Sequence, residues 1–103
     1  MTLTTSQLVA RVESEGNHTL VRYEPNWRYV TKECITRFHR AHLPGRMTAQ
    51  TALMLLSCSW GKFQIMGSNL YDMGYTGTIV DFGASESLQE EFFFKFLTLK
   101  EPH

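Results

Sequence analysis

No apolar run in this 103-residue chain is longer than Ala52–Leu56, far short of the ~20 residues a bilayer requires, so no membrane contact is expected. Met1-Thr2-Leu3-Thr4-Thr5-Ser6 lacks the basic start and apolar stretch of a secretory signal, and any export is expected to use another route. Cysteine is scarce. Cys34 and Cys58 could form one disulfide, but a domain with an adequate core does not need it, and free buried thiols are expected. The spacing of Cys34, His39 and His42 matches no common zinc pattern, so no metal is expected. Gly-x-Ser-x-Gly elbows and phosphate-cradling glycine loops are absent too, which argues against nucleophilic hydrolysis and against a cofactor.

Net charge is zero, with ten Lys and Arg against ten Asp and Glu, but the charges are uneven. Arg22 to Arg46 holds six basic residues against Glu24 and Glu33, and the remainder carries the opposite excess. Such a segment suits either a polyanion or a solvated helix face. The spacing of Arg28, Lys32, Arg37 and Arg40, without an aromatic-rich motif, favours the helix face, and no nucleic-acid partner is expected. A hydrophobic fraction of 43% with 19% charged residues fits one globular domain over residues 1–103.

Helical signals dominate. A first helix is expected from Thr5 to about Ser14, with Leu8, Val9 and Val12 as its apolar stripe and Gly16 as its stop. His18 to Tyr23 reads as a short extended piece, and Pro25 forbids helix through Glu24. A second helix is expected over Thr31–His42. Pro44-Gly45 reads as a turn, Thr48 caps a third helix with Ala52, Leu53, Leu55 and Leu56 inward, and a short helix covers Asn69–Met73. The last helix starts at Ser85 or Ser87, the latter at capping-box distance from Glu90. Along it Leu88, Phe92, Phe96 and Leu99 share a stripe flanked by Phe93 and Leu97, while Phe94 points elsewhere. That pattern fits either a deeply buried helix or contact with another subunit.

Between these helices lies Ser59-Trp60-Gly61-Lys62-Phe63-Gln64-Ile65-Met66-Gly67, read as a hairpin or irregular strand pair. Two readings are open for it. In one, the run is a core strand whose glutamine is bonded internally. In the other it is a cleft wall, where Gln64 offers a donor and an acceptor to sugar hydroxyl and acetamido groups and Trp60 offers a flat face to a pyranose ring. A reactive group is found in Val12-Glu13-Ser14-Glu15-Gly16: Glu13, in the last helical turn at the negative end of the helix dipole, has the setting of a general acid, whereas Glu15 points to the other side.

A Glu-Ser pair ending an N-terminal helix, followed about 45 residues later by Ser-x-Gly-x-Phe-Gln-Ile-Met, resembles the lysozyme-like superfamily of goose-type lysozymes and soluble lytic transglycosylases. The likeness is closest to phage-type N-acetylmuramidase and lytic transglycosylase domains. It is carried by Arg22-Tyr23-Glu24-Pro25-Asn26-Trp27, Phe38-His39, the run from Ser59 to Gly67, Asn69, Gly74-Tyr75 and Phe82, and spans roughly Leu8 to Leu97. It implies an α+β, predominantly helical lysozyme-like fold with a small β-hairpin at the cleft. It also implies cleavage of the β-1,4 MurNAc–GlcNAc bond of peptidoglycan, with Glu13 as the acid. Ser59, Trp60, Gln64, Met66 and Tyr75 would line the substrate site, and Glu24 would be either a second, water-activating carboxylate or a structural ion-pair partner of Arg22 or Arg28.

An inverting hydrolase needs two carboxylates about 6.5–9.5 Å apart; a lytic transglycosylase, by the resemblance, needs only Glu13 and the substrate's own 6-hydroxyl. Related domains continue past the aromatic helix with further helices and a Tyr-Asn-type motif. The chain ending at His103 has no counterpart, so a minimal or truncated domain is expected. Its wall would be completed by phage virion subunits or a second copy through the aromatic helix. The alternative is a non-catalytic, glycan-binding or structural module of a phage tail. A phage product in the virion or host cytoplasm, acting at the periplasm or cell wall, fits the absent signal.

Overall fold

Helix α1 (Thr5–Ser14) ends where Glu15 and Gly16 both turn left-handed, at φ 55° and 81°, and the Gly16 N–H reaches back to the Ala10 carbonyl at 3.1 Å. Glycine tolerates that angle without a Cβ penalty, so the stop falls where the sequence puts it. The computed structural model describes residues 5–25, 30–42 and 47–100. After α1 come β1 (Val21–Tyr23), α2 (Lys32–Ala41), α3 (Ala49–Leu56), β2 (Cys58–Trp60), β3 (Ile65–Met66), α4 (Gly67–Asp72), α5 (Ile79–Ala84) and α6 (Glu86–Lys100). This is the expected predominantly helical α+β architecture. No helix among the described residues is long and apolar enough to cross a membrane. The Pro44-Gly45 turn, Asn26, Trp27, Arg28 and Arg46, and the side chains of Leu8 and Val12, lie outside the described residues.

Capping sets the middle helices. The Thr31 hydroxyl accepts the Cys34 N–H at 3.0 Å and the Thr48 hydroxyl accepts the Thr51 N–H at 3.2 Å, each satisfying a donor that a helix start leaves orphaned. On α2, Cys34 and Phe38 are four apart and both fully buried, while Lys32, Glu33 and Arg40 stay in water. The basic segment is therefore a solvated face over this helix, with Arg37 pairing Glu33 at 2.6 Å.

The sheet is antiparallel in the order β1-β2-β3. Val21 faces Trp60 and Tyr23 faces Cys58 across one pair, and Ser59 faces Met66 across the other. Strand β2 is buried throughout, whereas β1 is exposed along its length. Gly67 then opens α4 against the end of α3, where a Cβ would sit 2.9 Å from the Leu56 Cα.

The core collects around Tyr71, whose ring meets Phe38 at 5.1 Å and Tyr75 at 5.4 Å. Tyr75 extends the cluster edge-on to Phe82 and Phe92. Three expectations for the C-terminal part are corrected. Helix α5 is an additional element, capped by Thr78 on the Asp81 N–H and tied to α2 where Ile79 N–H donates to His42 Nε2 at 3.1 Å. Ser85, not Ser87, caps α6 through the Leu88 N–H, because Glu90 is turned to Lys62 at 2.6 Å and does not close a capping box. On α6, Phe92 and Phe93 are buried and Phe94 is exposed as expected, but Leu99 is also exposed, beyond the part of the helix that packs on α5 and the hairpin. Both cysteines are free and buried.

Candidate active site

Two carboxylate-bearing segments are fastened to one hairpin. Ser14 is buried at the end of α1, and its hydroxyl donates to the Lys62 carbonyl at 2.6 Å, with the Ala10 carbonyl as a longer contact at 3.0 Å. Glu13, the preceding residue, stands exposed at that joint. On the other side, Glu24 follows β1; its N–H donates to the Ser57 carbonyl at 2.9 Å and its carboxylate accepts the Ser59 hydroxyl at 2.5 Å. Hydrogen bonds to a charged acceptor are short and strong, and this one fixes the carboxylate's direction while leaving Glu24 in water. The carboxylate's contact among the described residues is thus Ser59 and not the expected ion pair with Arg22; Arg28 lies outside the described residues.

The structure brings Ser59, Gln64 and Met66 together on the hairpin and changes what two of them do. Ser59 is 2% exposed, its Oγ held between Glu24 and the Met66 sulfur at 3.2 Å. It orients a carboxylate and leaves no surface for a sugar. Gln64 takes a left-handed φ of 52° and spends its amide N–H groups on the carbonyls of Gly61, at 2.7 Å, and Leu20, at 3.1 Å. Its Oε1 is buried without a partner among the described residues. The glutamine braces the turn from inside, with one acceptor in reserve.

Trp60 and Tyr75 are placed in the core. The Trp60 indole N–H donates to the Leu55 carbonyl at 3.1 Å and its ring lies against Gly83 of α5, so it joins the sheet to two helices and offers no open face. Tyr75 donates its hydroxyl to the Thr78 carbonyl at 2.7 Å and belongs to the ring cluster beyond α4; burial, aided by the nearby Asp81 charge, pushes its phenol up to about 12. The aromatic ring beside Glu24 is Tyr23, 48% exposed, at the edge of a groove of about 360 Å³ also lined by Thr48, Gln50, Thr51, Leu53 and Met54. The Tyr23-Glu24 pair was visible in the sequence; the register that leaves Tyr23 outside and Trp60 inside was not.

The buried thiols are poor nucleophiles. Burial and then the Asp72 charge, partly offset by Arg37, push Cys34 up to about 12, and burial with the Glu24 charge raises Cys58. No cluster of metal-ligating side chains occurs among the described residues. The groups left to do chemistry at the hairpin are carboxylates.

Known proteins point the same way. The sequence profile of N-acetylmuramidases matches residues 3–102. The endolysin of Enterobacteria phage PRD1 is 34% identical over 104 residues, covering 94% of this chain and 68% of the endolysin. No solved structure matches. With the profile running almost the full length and a 34% identical relative, the chain belongs to the N-acetylmuramidase family.

Proposed function

We propose that this chain cleaves the β-1,4 MurNAc–GlcNAc bond of peptidoglycan, with Glu13 protonating the glycosidic oxygen and Glu24 acting as the second carboxylate. Family membership supports the coarser statement, a peptidoglycan-cleaving enzyme. The observation that carries the finer one is the double attachment to the hairpin: Lys62 holds the helix end that bears Glu13, and Ser59 holds Glu24. Both carboxyl groups remain exposed, as groups must be that meet a polymer arriving from solvent. Tyr23 and the adjoining groove extend the site along α3, and Ser59 aims Glu24.

Glu13→Gln removes the proton donor while keeping the shape of an exposed side chain. General acid catalysis contributes on the order of 10²–10⁴-fold, so clearing of purified peptidoglycan should fall by at least ~100-fold with the melting temperature unchanged. Equal activity in the variant rejects Glu13 as the acid. Product mass then decides the role of Glu24. Products one water heavier than the anhydro form are expected if Glu24 activates water; anhydro-muramyl ends alone would leave Glu13 as both acid and base, and Glu24 as a rim residue. The endolysin name of the PRD1 relative fits release of phage from the host.

A further inference from the structure

Gln89 lies on α6, outside every group considered above, yet among the described residues it is the one long polar side chain with no exposure at all. Its amide N–H groups face the carbonyls of His18 at 2.9 Å, Phe82 at 3.0 Å and Gly83 at 3.3 Å, and its Oε1 accepts the Lys62 N–H at 2.9 Å. Three carbonyls on one side and an N–H on the other leave a single way round for the amide. The side chain therefore pins the loop after α1, the end of α5 and the hairpin turn to one point. Gly61 closes it in, since a Cβ there would collide with Cδ and Oε1 of Gln89.

Lys62 is the hinge of the arrangement. Its N–H is held by Gln89, and its carbonyl holds Ser14, the residue after Glu13. Further ties run from the same turn to the loop between α1 and β1, where Gly61 N–H donates to the Leu20 carbonyl at 2.8 Å and Gln64 Nε2 joins it there. The end of α1 thus has its position set from α6, through a turn whose polar contacts are almost all made.

We propose that Gln89 is a positioning residue for the acid: through the main chain of Lys62 and the hydroxyl of Ser14 it fixes where Glu13 stands relative to the glycosidic oxygen. This rests on the reading of Glu13 as the acid. Removing the amide orphans the Lys62 N–H and frees the turn to shift, and a misplacement of ~1 Å can cost on the order of 100-fold in rate while binding contacts remote from the joint persist.

The test compares Gln89→Met, Ser14→Ala and the double variant on peptidoglycan, per folded molecule and well below the melting temperature, with Glu13→Gln alongside. Each single variant should lower kcat by about 10–100-fold with KM within about two-fold, and the double variant should be no worse than the poorer single, since both break one linkage. Losses that multiply in the double variant, or full kcat in folded Gln89→Met, overturn the proposal. If Gln89→Met does not fold, Gln89→Glu keeps the shape and removes the amide donors, and Ser14→Ala breaks the joint from its other end. An unaltered kcat in folded Ser14→Ala overturns the proposal on its own. Activity in Glu13→Gln would instead take down the underlying assignment of the acid, whatever Gln89 does.

Discussion

The hairpin turn at residues 61–64 and the ring cluster around Tyr71 are both well inside the molecule, yet different forces hold them. At the turn, Ser14, Gln64 and Gln89 meet main-chain carbonyls and amides at 2.6–3.1 Å, an arrangement that is directional and intolerant of rotation. Around Tyr71, the rings of Phe38, Tyr75, Phe82 and Phe92 meet edge-on, and the two tyrosine hydroxyls each find one carbonyl. That cluster gains from area removed from water and from dispersion, which depend on volume more than angle. The turn is suited to placing a reactive group, and the cluster to keeping the chain folded. Damage to one should register as lost rate, and damage to the other as lost stability.

The sharpest way to break that division is Phe82→Ala. Phe82 is fully buried, so its loss should cost about 3–5 kcal/mol in chemical unfolding, a large part of the ~5–15 kcal/mol typical of a domain, with kcat per folded molecule unchanged. A fall in kcat at full folding would show that the cluster also places the acid. Gly61→Ala lies on the boundary and sharpens it. A left-handed φ of 82° and a Cβ driven into Gln89 should together cost about 2–4 kcal/mol, and, unlike Phe82→Ala, the folded fraction should also turn over more slowly. Stability loss with an intact kcat would mean that the turn is scaffold only.

The smallest effect is expected at Lys62→Met. The Lys62 ammonium sits 2.6 Å from Glu90 and 3.5 Å from Glu86. Burial works to lower its pKa, but the hydrogen bond to Glu90 and the two carboxylate charges outweigh that and hold it above the ordinary lysine value. A raised folded-state pKa stabilises the protein fully below the unfolded pKa of 10.5, and the contribution fades as pH rises through the higher folded value. Because the two glutamates are half in water, the pair should be worth only about 0.5–1 kcal/mol. The difference between wild type and variant in urea midpoint should shrink with added salt and disappear at strongly alkaline pH; kcat should not move.

Much of this organisation was legible in the sequence where the determinant is local. Thr31, Thr48 and Gly16 mark helix ends because capping and left-handed turns act within a few residues, and Ser59 to Gly67 reads as a hairpin by its alternation. What stayed hidden depends on distant partners. Helix α5 is six residues long, and its start leans on His42, 37 positions away. Trp60 could face a cleft or a core by pattern alone; the Leu55 carbonyl and Gly83 decide it. The same holds at the site, where Glu13 and the hairpin can be picked out by motif, but the diversion of the Ser59 hydroxyl to Glu24, 35 residues away, cannot. Gln89 carries no motif at all, since an amide in a helix looks like surface until the helix is packed.

The hinge at Lys62 has an odd consequence for mutational tolerance. Both atoms that make the joint, the N–H held by Gln89 and the carbonyl held by Ser14, belong to the main chain. Any residue able to follow Gly61 in that turn supplies them. A scan of side chains would score position 62 as dispensable while its contacts at 14 and 89 score as critical, although all three form one linkage. Its importance would surface only where the backbone itself is edited, by proline, which deletes the N–H, or by an ester in place of the amide.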